Sequence, residues 1–406
     1  MKNKVFVLGS HYNGLSIIQS LGRKNIQVYA LDSSRTVGAF SKYSKFIKVT
    51  NPLEDPIALL NELIKLSTKE KNKIVLFPSN DEWAEFLSKN KSKLEENFIL
   101  SCSNYEVVSM LLNKEAFLNW ADGNDYLIPK VYSNPLEENI KFPVCLKTIS
   151  RRSGFDTKIS NKDELDNIDK FRYLVFHNDS DLKKGIKDAK SKNIKLLCQE
   201  VINGRSNSMR TIGFFSYHGE IKGILYGKKL RGYPPEFGDC VVGKCEKKVP
   251  QWALKMAKDI AKELNYTGIA EIELMKDSIS AKHFLIEINP RSWSWVGVGE
   301  KSGVDLPLIA YQNLTDSSTK DKKNIAMPSK EATYIKLLSH IQNSLLWYRF
   351  TKAKDWTASP VGLIKEIISK KNTVYAEFNE FNFLIFTYVF IASLKEAMHN
   401  LKNLLK

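Results

Sequence analysis

Apolar residues open the chain in short clusters that alternate with helix-length patterns. Val5 to Leu8 is an apolar run, Gly9 to Gly14 reads as a turn, and Leu15, Ile17, Ile18 and Leu21 line one face of a helix that Gly22 closes. Gln27 to Leu31 predicts a second strand ending at Asp32, followed by a helix around Ile57 to Leu66 and a strand from Lys73 to Phe77. Strands and helices taking turns predict a parallel, doubly wound α/β unit over residues 1–100. A glycine turn before a helix is able to hold a phosphate. Gly9-x4-Gly14 lacks the spacing of a dinucleotide fingerprint, so this unit reads as structural.

The pattern changes after residue 100. A helix from Glu106 to Ala121 leads through Pro129 to the apolar strand Phe142 to Lys147 and then to a polar loop, Thr148 to Asp156. Ile194 to Ile202 is strand-like and ends in Asn203-Gly204. Strands at Arg210 to Tyr217 and Glu220 to Tyr226 precede a Gly/Pro-rich section, Gly227 to Gly243. A helix from Pro250 to Leu264 leads to two final strands, Gly268 to Leu274 and His283 to Asn289. Residues 101–315 therefore form a second unit, of α+β character. Residues 315–330 are rich in Ser, Thr, Lys and Asp and read as a linker, and 331–406 read as mostly helical.

Composition narrows the class. With 43% hydrophobic and 26% charged residues the chain is globular, not disordered. Sixty-one Lys and Arg against 45 Asp and Glu leave a net charge of +16, which favours anionic partners: nucleotides, phosphorylated sugars, nucleic acid or lipid surfaces. The basic residues are not interleaved with aromatics in an RNA-binding motif, which argues against nucleic acid. The five cysteines form no CxxC pair and read as reduced structural thiols. The N-terminus lacks a signal-peptide pattern, and no apolar run reaches the roughly 18 residues a bilayer span needs. A cytoplasmic protein is the expectation.

The chemistry concentrates in the last two strands of the second unit. Alternate strand residues share a face, so Glu287 and Asn289 project together, with Arg291 extending the row past Pro290. Glu273 joins them if its strand pairs with theirs as a hairpin around Lys276 to Ser280. Taken alone, Glu271 and Glu273 would merely occupy the solvent face of that hairpin. The whole set supplies hard oxygen donors suited to magnesium held with phosphates, and a planar cation for a phosphate or acyl phosphate.

At these residues the sequence resembles the ATP-grasp superfamily, and most of all its carboxylate–amine ligase branch, which includes D-aspartate ligases and the carbamoyl-phosphate synthetase large chain. The resemblance covers roughly residues 1 to 315 and rests on Glu273 and Glu287-x-Asn289-x-Arg291. It implies a Rossmann-like N-terminal domain, an ATP-grasp domain and a helical appendage. It also implies ATP with Mg2+, Mn2+ being the alternative ion, and ligands Glu273, Glu287 and Asn289. Lys114 and Lys147 match the family's phosphate-binding basic residues, and Ser150 to Asp156, with Ser153 and Gly154, its flap over the triphosphate. Glu200 and the Val201 backbone match the adenine hinge, and Asn207 stands where relatives place an acidic residue for the ribose. Arg231, in a basic turn-rich segment, is a candidate for the carboxylate substrate or γ-phosphate, and Arg291 for the acyl phosphate. Trp293 and Trp295 either shape the acceptor pocket or pack in the core.

The implied reaction phosphorylates a carboxylate, of an amino acid or sugar acid, to an acyl phosphate that an amine then attacks, releasing ADP and phosphate. The alternative is a regulatory ATP-binding protein on the same fold, and a homodimer is compatible with either. Near the C-terminus, Phe381 to Leu394 is apolar apart from Asn382, Thr387 and Ser393, and lysines follow it. It reads first as packing in a core or oligomer interface, with peripheral membrane contact as the alternative.

Overall fold

The computed structural model describes residues 2–149, 174–192, 194–233, 239–316, 324–341, 344, 372–380 and 382–404. The expected alternation in the first hundred residues is present: β1 (Val5–Leu8), α1 (Tyr12–Gly22), β2 (Val28–Asp32), β3 (Ser44–Lys48), α2 (Pro56–Ser67), β4 (Ile74–Pro78), α3 (Asp81–Lys89), α4 (Lys91–Leu94) and β5 (Phe98–Leu100). The strands form a parallel sheet in the order β3-β2-β1-β4-β5. Gly9 turns the chain with φ of +89°, and a Cβ on Gly14 would stand 2.1 Å from the Gly9 carbonyl oxygen. Both glycines therefore serve the tight approach of α1 to β1. Asp32 accepts from the Ser10 N–H (2.7 Å) and hydroxyl (2.9 Å), which closes the turn from within. The structural reading of this glycine turn agrees with that arrangement.

The predicted helix Glu106 to Ala121 is two helices, α5 (Tyr105–Leu112) and α6 (Lys114–Gly123). They break at Asn113, whose side chain accepts from the Ala116 N–H and caps the second. Next come β6 (Val131–Tyr132), β7 (Val144–Thr148), β8 (Leu174–Phe176), α7 (Asp179–Ser191) and β9 (Leu196–Glu200), the strands making an antiparallel sheet ordered β6-β9-β7-β8.

A larger sheet follows, with β10 (Met209–Tyr217), β11 (Glu220–Tyr233), β12 (Asp239–Cys245), α8 (Gln251–Glu263), β13 (Gly268–Lys276) and β14 (His283–Asn289). Helices α9 (Val298–Ser302) and α10 (Leu306–Thr315) lead to β15 (Ala332–Ile335) and β16 (Thr373–Tyr375), and α11 (Phe383–Leu404) ends the described chain. The sheet order is β14-β13-β10-β11-β12-β15-β16. The region beyond 331, expected to be helical, thus adds two strands to this sheet.

The Gly/Pro-rich stretch read as loop is largely strand, because its glycines are there for room. Cβ atoms on Gly227 and Gly243 would lie 2.7 and 3.1 Å from the Trp295 ring, and one on Gly213 would lie 1.9 Å from the Trp293 ring. The two indoles meet edge to face at 6.1 Å and are buried. One core cluster joins them to Val5, Ile17, Phe215 and Tyr334, so the N-terminal α/β unit and the large sheet share an interior. Trp293 and Trp295 are core residues. No helix among the described residues is long and apolar enough to cross a membrane.

Candidate active site

Strands β13 and β14 pair antiparallel with Glu271 opposite Asn289 and Glu273 opposite Glu287, which brings the expected hairpin set together. The Asn289 carboxamide is the centre of the group. Its Nδ2 donates to Glu273 Oε1 (3.1 Å), Glu271 Oε2 (3.2 Å) and Glu287 Oε1 (3.4 Å). Its Oδ1 accepts from Arg291 Nη2 at 2.8 Å. Three carboxylates thus converge where a single N–H group supplies the positive end.

Glu271 belongs to the group although the sequence reading did not include it among the ligands. It is 4% exposed and accepts from the Thr211 hydroxyl at 3.3 Å. Burial, and next the neighbouring Glu273, hold its carboxyl well above the ordinary range, while Arg291 and then Lys229 oppose that shift. The period-two spacing to Glu273 was the available signal; what hid it was that this face of the sheet is covered. Arg291 is itself clamped: its Nε donates to Asp81 Oδ1 at 2.9 Å, and both residues are buried. Asp81 stands in the first turn of α3, in the other structural unit, and no local pattern could have announced it.

The donor chemistry fits a hard divalent cation. Glu273 and Glu287 offer carboxylate oxygens from facing positions, with Asn289 between them. Among the described residues there is no ready-made group of three or more His, Cys, Asp or Glu ligands, so such an ion would need the set of two carboxylates and a carboxamide read from the sequence. In the arrangement seen, the carboxamide presents its nitrogen to the glutamates and its oxygen to Arg291.

The basic residues sit on the smaller sheet. Lys147 Nζ donates to Gln199 Oε1 at 2.9 Å, across the β7–β9 pairing. Lys114 opens α6; its N–H bonds the Ile149 carbonyl and its Nζ the Thr148 carbonyl, both at 3.1 Å. Both lysines are therefore fixed at the end of β7, where the chain enters the predicted flap. Ser153 and Gly154, with the rest of 150–173, lie outside the described residues.

Glu200 ends β9, and its carboxylate accepts from the Lys130 N–H at 3.4 Å. The Val201 N–H is bonded to the Pro143 carbonyl at 3.1 Å. Directly after it, Ile202 packs with Met209 and Met275, beside Phe284 and Ile286. Asn207 is exposed, and its carbonyl accepts from Arg210 at 2.7 Å. Arg231 Nη1 lies 3.2 Å from the buried His340 Nε2; two positions earlier, Lys229 is the residue of that segment whose charge reaches Glu271. The five cysteines are free and buried, and burial pushes the Cys102, Cys198 and Cys240 thiols up to about 12, which excludes them as thiolate nucleophiles at neutral pH.

No protein-family model matches the sequence. Over 321 residues the chain is 24% identical to a D-aspartate ligase of Enterococcus faecium (strain Aus0004), covering 72% of each protein. Its fold is similar to that of an L-amino acid ligase from Bacillus licheniformis, with a TM-score of 0.59 and 14% identity over 82% of this chain and 79% of that one. It is also similar to N5-carboxyaminoimidazole synthetase from Staphylococcus aureus, with a TM-score of 0.60 and 14% identity over 87% of each chain, and equally to that enzyme complexed with ADP.

Proposed function

We propose that this chain, an ATP-grasp ligase in its fold and its relatives, joins a carboxylate to an amine at the expense of ATP, through an acyl phosphate, with release of ADP and phosphate. The observation that carries the reading is the convergence of Glu271, Glu273 and Glu287 on Asn289 beside a buried arginine. Carboxylates grouped in this way supply the hard oxygen donors that a divalent cation takes. Glu273, Glu287 and Asn289 would hold Mg2+, which when bound offsets phosphate charge.

The protein's own groups do the rest. Lys147, oriented by Gln199, and Lys114, anchored to the end of β7, aim cations at the phosphates. Glu200 and the Val201 carbonyl stand at the adenine edge, with the exposed Asn207 toward the ribose. Arg291, bonded through its three nitrogens to Asp81, the Ser292 carbonyl and Asn289, supplies fixed positive charge toward the acyl phosphate. Arg231 and Lys229 supply further positive charge for the carboxylate substrate. No protein nucleophile is needed, because the reaction is a sequence of displacements governed by positioning and charge.

Phosphate release from ATP and magnesium, screened against amino acids and sugar acids singly and in pairs, tests the activity. It should appear only with a carboxylate substrate. Glu287→Gln keeps the side-chain shape and should abolish turnover while the protein melts as before. Near-normal turnover in this variant would remove the metal assignment.

A further inference from the structure

Helix α11 uses one face inside the protein. Ile385 and Val389 are buried against Leu15 and Val37, and the Tyr388 ring lies 5.0 Å from that of Phe40. The other side shows Phe383, Leu384, Phe390, Ile391, Leu394 and Met398 to solvent, with exposures from 45% at Phe390 to 76% at Phe383. Steps of seven and four residues keep these side chains on one stripe. Contiguous exposure of large apolar groups on this scale marks an interaction surface.

Exposed cations lie on the helix and on the segment that packs against it. Lys42, exposed, is tied to the start of the helix because its N–H donates to Glu380, and the Asn382 side chain bonds the neighbouring Phe40 carbonyl. Arg35, Lys45 and Lys48 are exposed on the same segment, and Lys395 is exposed on the helix itself. Glu377 and Glu380, just before the helix, are buried and turned inward, Glu380 onto Ser41 and Lys42 and Glu377 onto the Leu337 N–H. We propose that this face of α11 docks the protein on an anionic lipid surface, with the apolar stripe at the acyl-chain boundary and Arg35, Lys42 and Lys395 at the headgroup phosphates. Charge selects this occupant. A second copy meeting the stripe face to face would bring the same cations against one another, whereas anionic headgroups neutralise them.

Flotation of the full chain with vesicles decides the matter. Vesicles of phosphatidylcholine mixed with phosphatidylglycerol should carry the protein at low salt, pure phosphatidylcholine should carry much less, and high salt should release it. Replacing Phe383, Leu384 and Phe390 together by Ser should abolish flotation without lowering the melting temperature, since all three are exposed. Lys395→Ala should weaken partitioning roughly fivefold. Failure of the full chain to float with the anionic vesicles overturns the proposal. Equal flotation with neutral vesicles overturns the role of the cations. A dimer that the triple variant dissociates, without flotation of the parent, assigns the face to a second copy instead.

Discussion

Lys147 stands on a strand whose neighbours are buried, with its amine held by Gln199. A cation kept in place without reorganisation contributes most where water is excluded, and one such donor is worth roughly 3 kcal/mol. Lys147→Ala should therefore lower the ligase rate by about two orders of magnitude. Lys147→Arg should recover only part of it, because a planar fork replaces a point charge. Steady-state phosphate release measures both, and a loss of less than threefold for the alanine variant would make Lys147 a bystander. Much of this cluster was legible as sequence: Glu273, Glu287, Asn289 and Arg291 are brought into one group by simple alternation along two strands. Asp81, Gln199 and Glu271 were not. The first two act through partners at sequence separations of 210 and 52 residues, and the third was concealed because its strand face is covered.

Between residues and molecule lie the elements, where periodicity served well and punctuation served badly. Strands β1, β2 and β4 of the N-terminal sheet were readable as short apolar runs, whereas the half-exposed β3 and the three-residue β5 were not. Glycine misled along β11 and β12: Gly227 and Gly243 signalled a loop, whereas they clear space for an indole that arrives from a distant segment. Helix α10 offers a test of a different kind. Its N-cap, Asp305, accepts from the Leu308 N–H and from the Ser20 hydroxyl. Burial raises its pKa first; the nearby Glu300 adds to this, and Ser20 and Arg23 act against it. A carboxyl with a raised native pKa keeps a proton that the unfolded chain has lost. Its stabilising contribution is then complete below the unfolded value of about 3.9 and disappears as pH rises through the native value. Asp305→Asn retains a capping oxygen and does not titrate. Melting curves should show the variant above the parent at pH 8, with a flatter dependence on pH between 4 and 8. An unchanged slope would mean that Asp305 is ionised in the folded protein.

At the scale of the whole molecule, the two structural units are separate in sequence but not in their interior. Val5, Ile17 and Val75 of the first unit belong to the same buried cluster as Phe215, Ile269 and Trp293 of the second. The site depends on that union, because Asp81 from the first unit fixes the guanidinium that holds Asn289 in the second. Removing one partner of a buried ion pair costs up to about 3–5 kcal/mol, moderated here because Glu271 Oε2 also lies 3.9 Å from Arg291 Nη1. Asp81→Asn should therefore lower the stability of the entire protein by that order, in one cooperative unfolding transition. Denaturant unfolding followed by tryptophan fluorescence, read beside far-UV circular dichroism, tests this: Trp83 reports on the first unit and Trp293 and Trp295 on the second. Coincident curves, both shifted, are expected if the shared core makes the units one folding body. Turnover measured where the variant is fully folded should also fall, because Arg291 without Asp81 is free to leave Asn289. Two separate transitions, with only the first displaced, would show that the units fold independently and that Asp81 does not couple them.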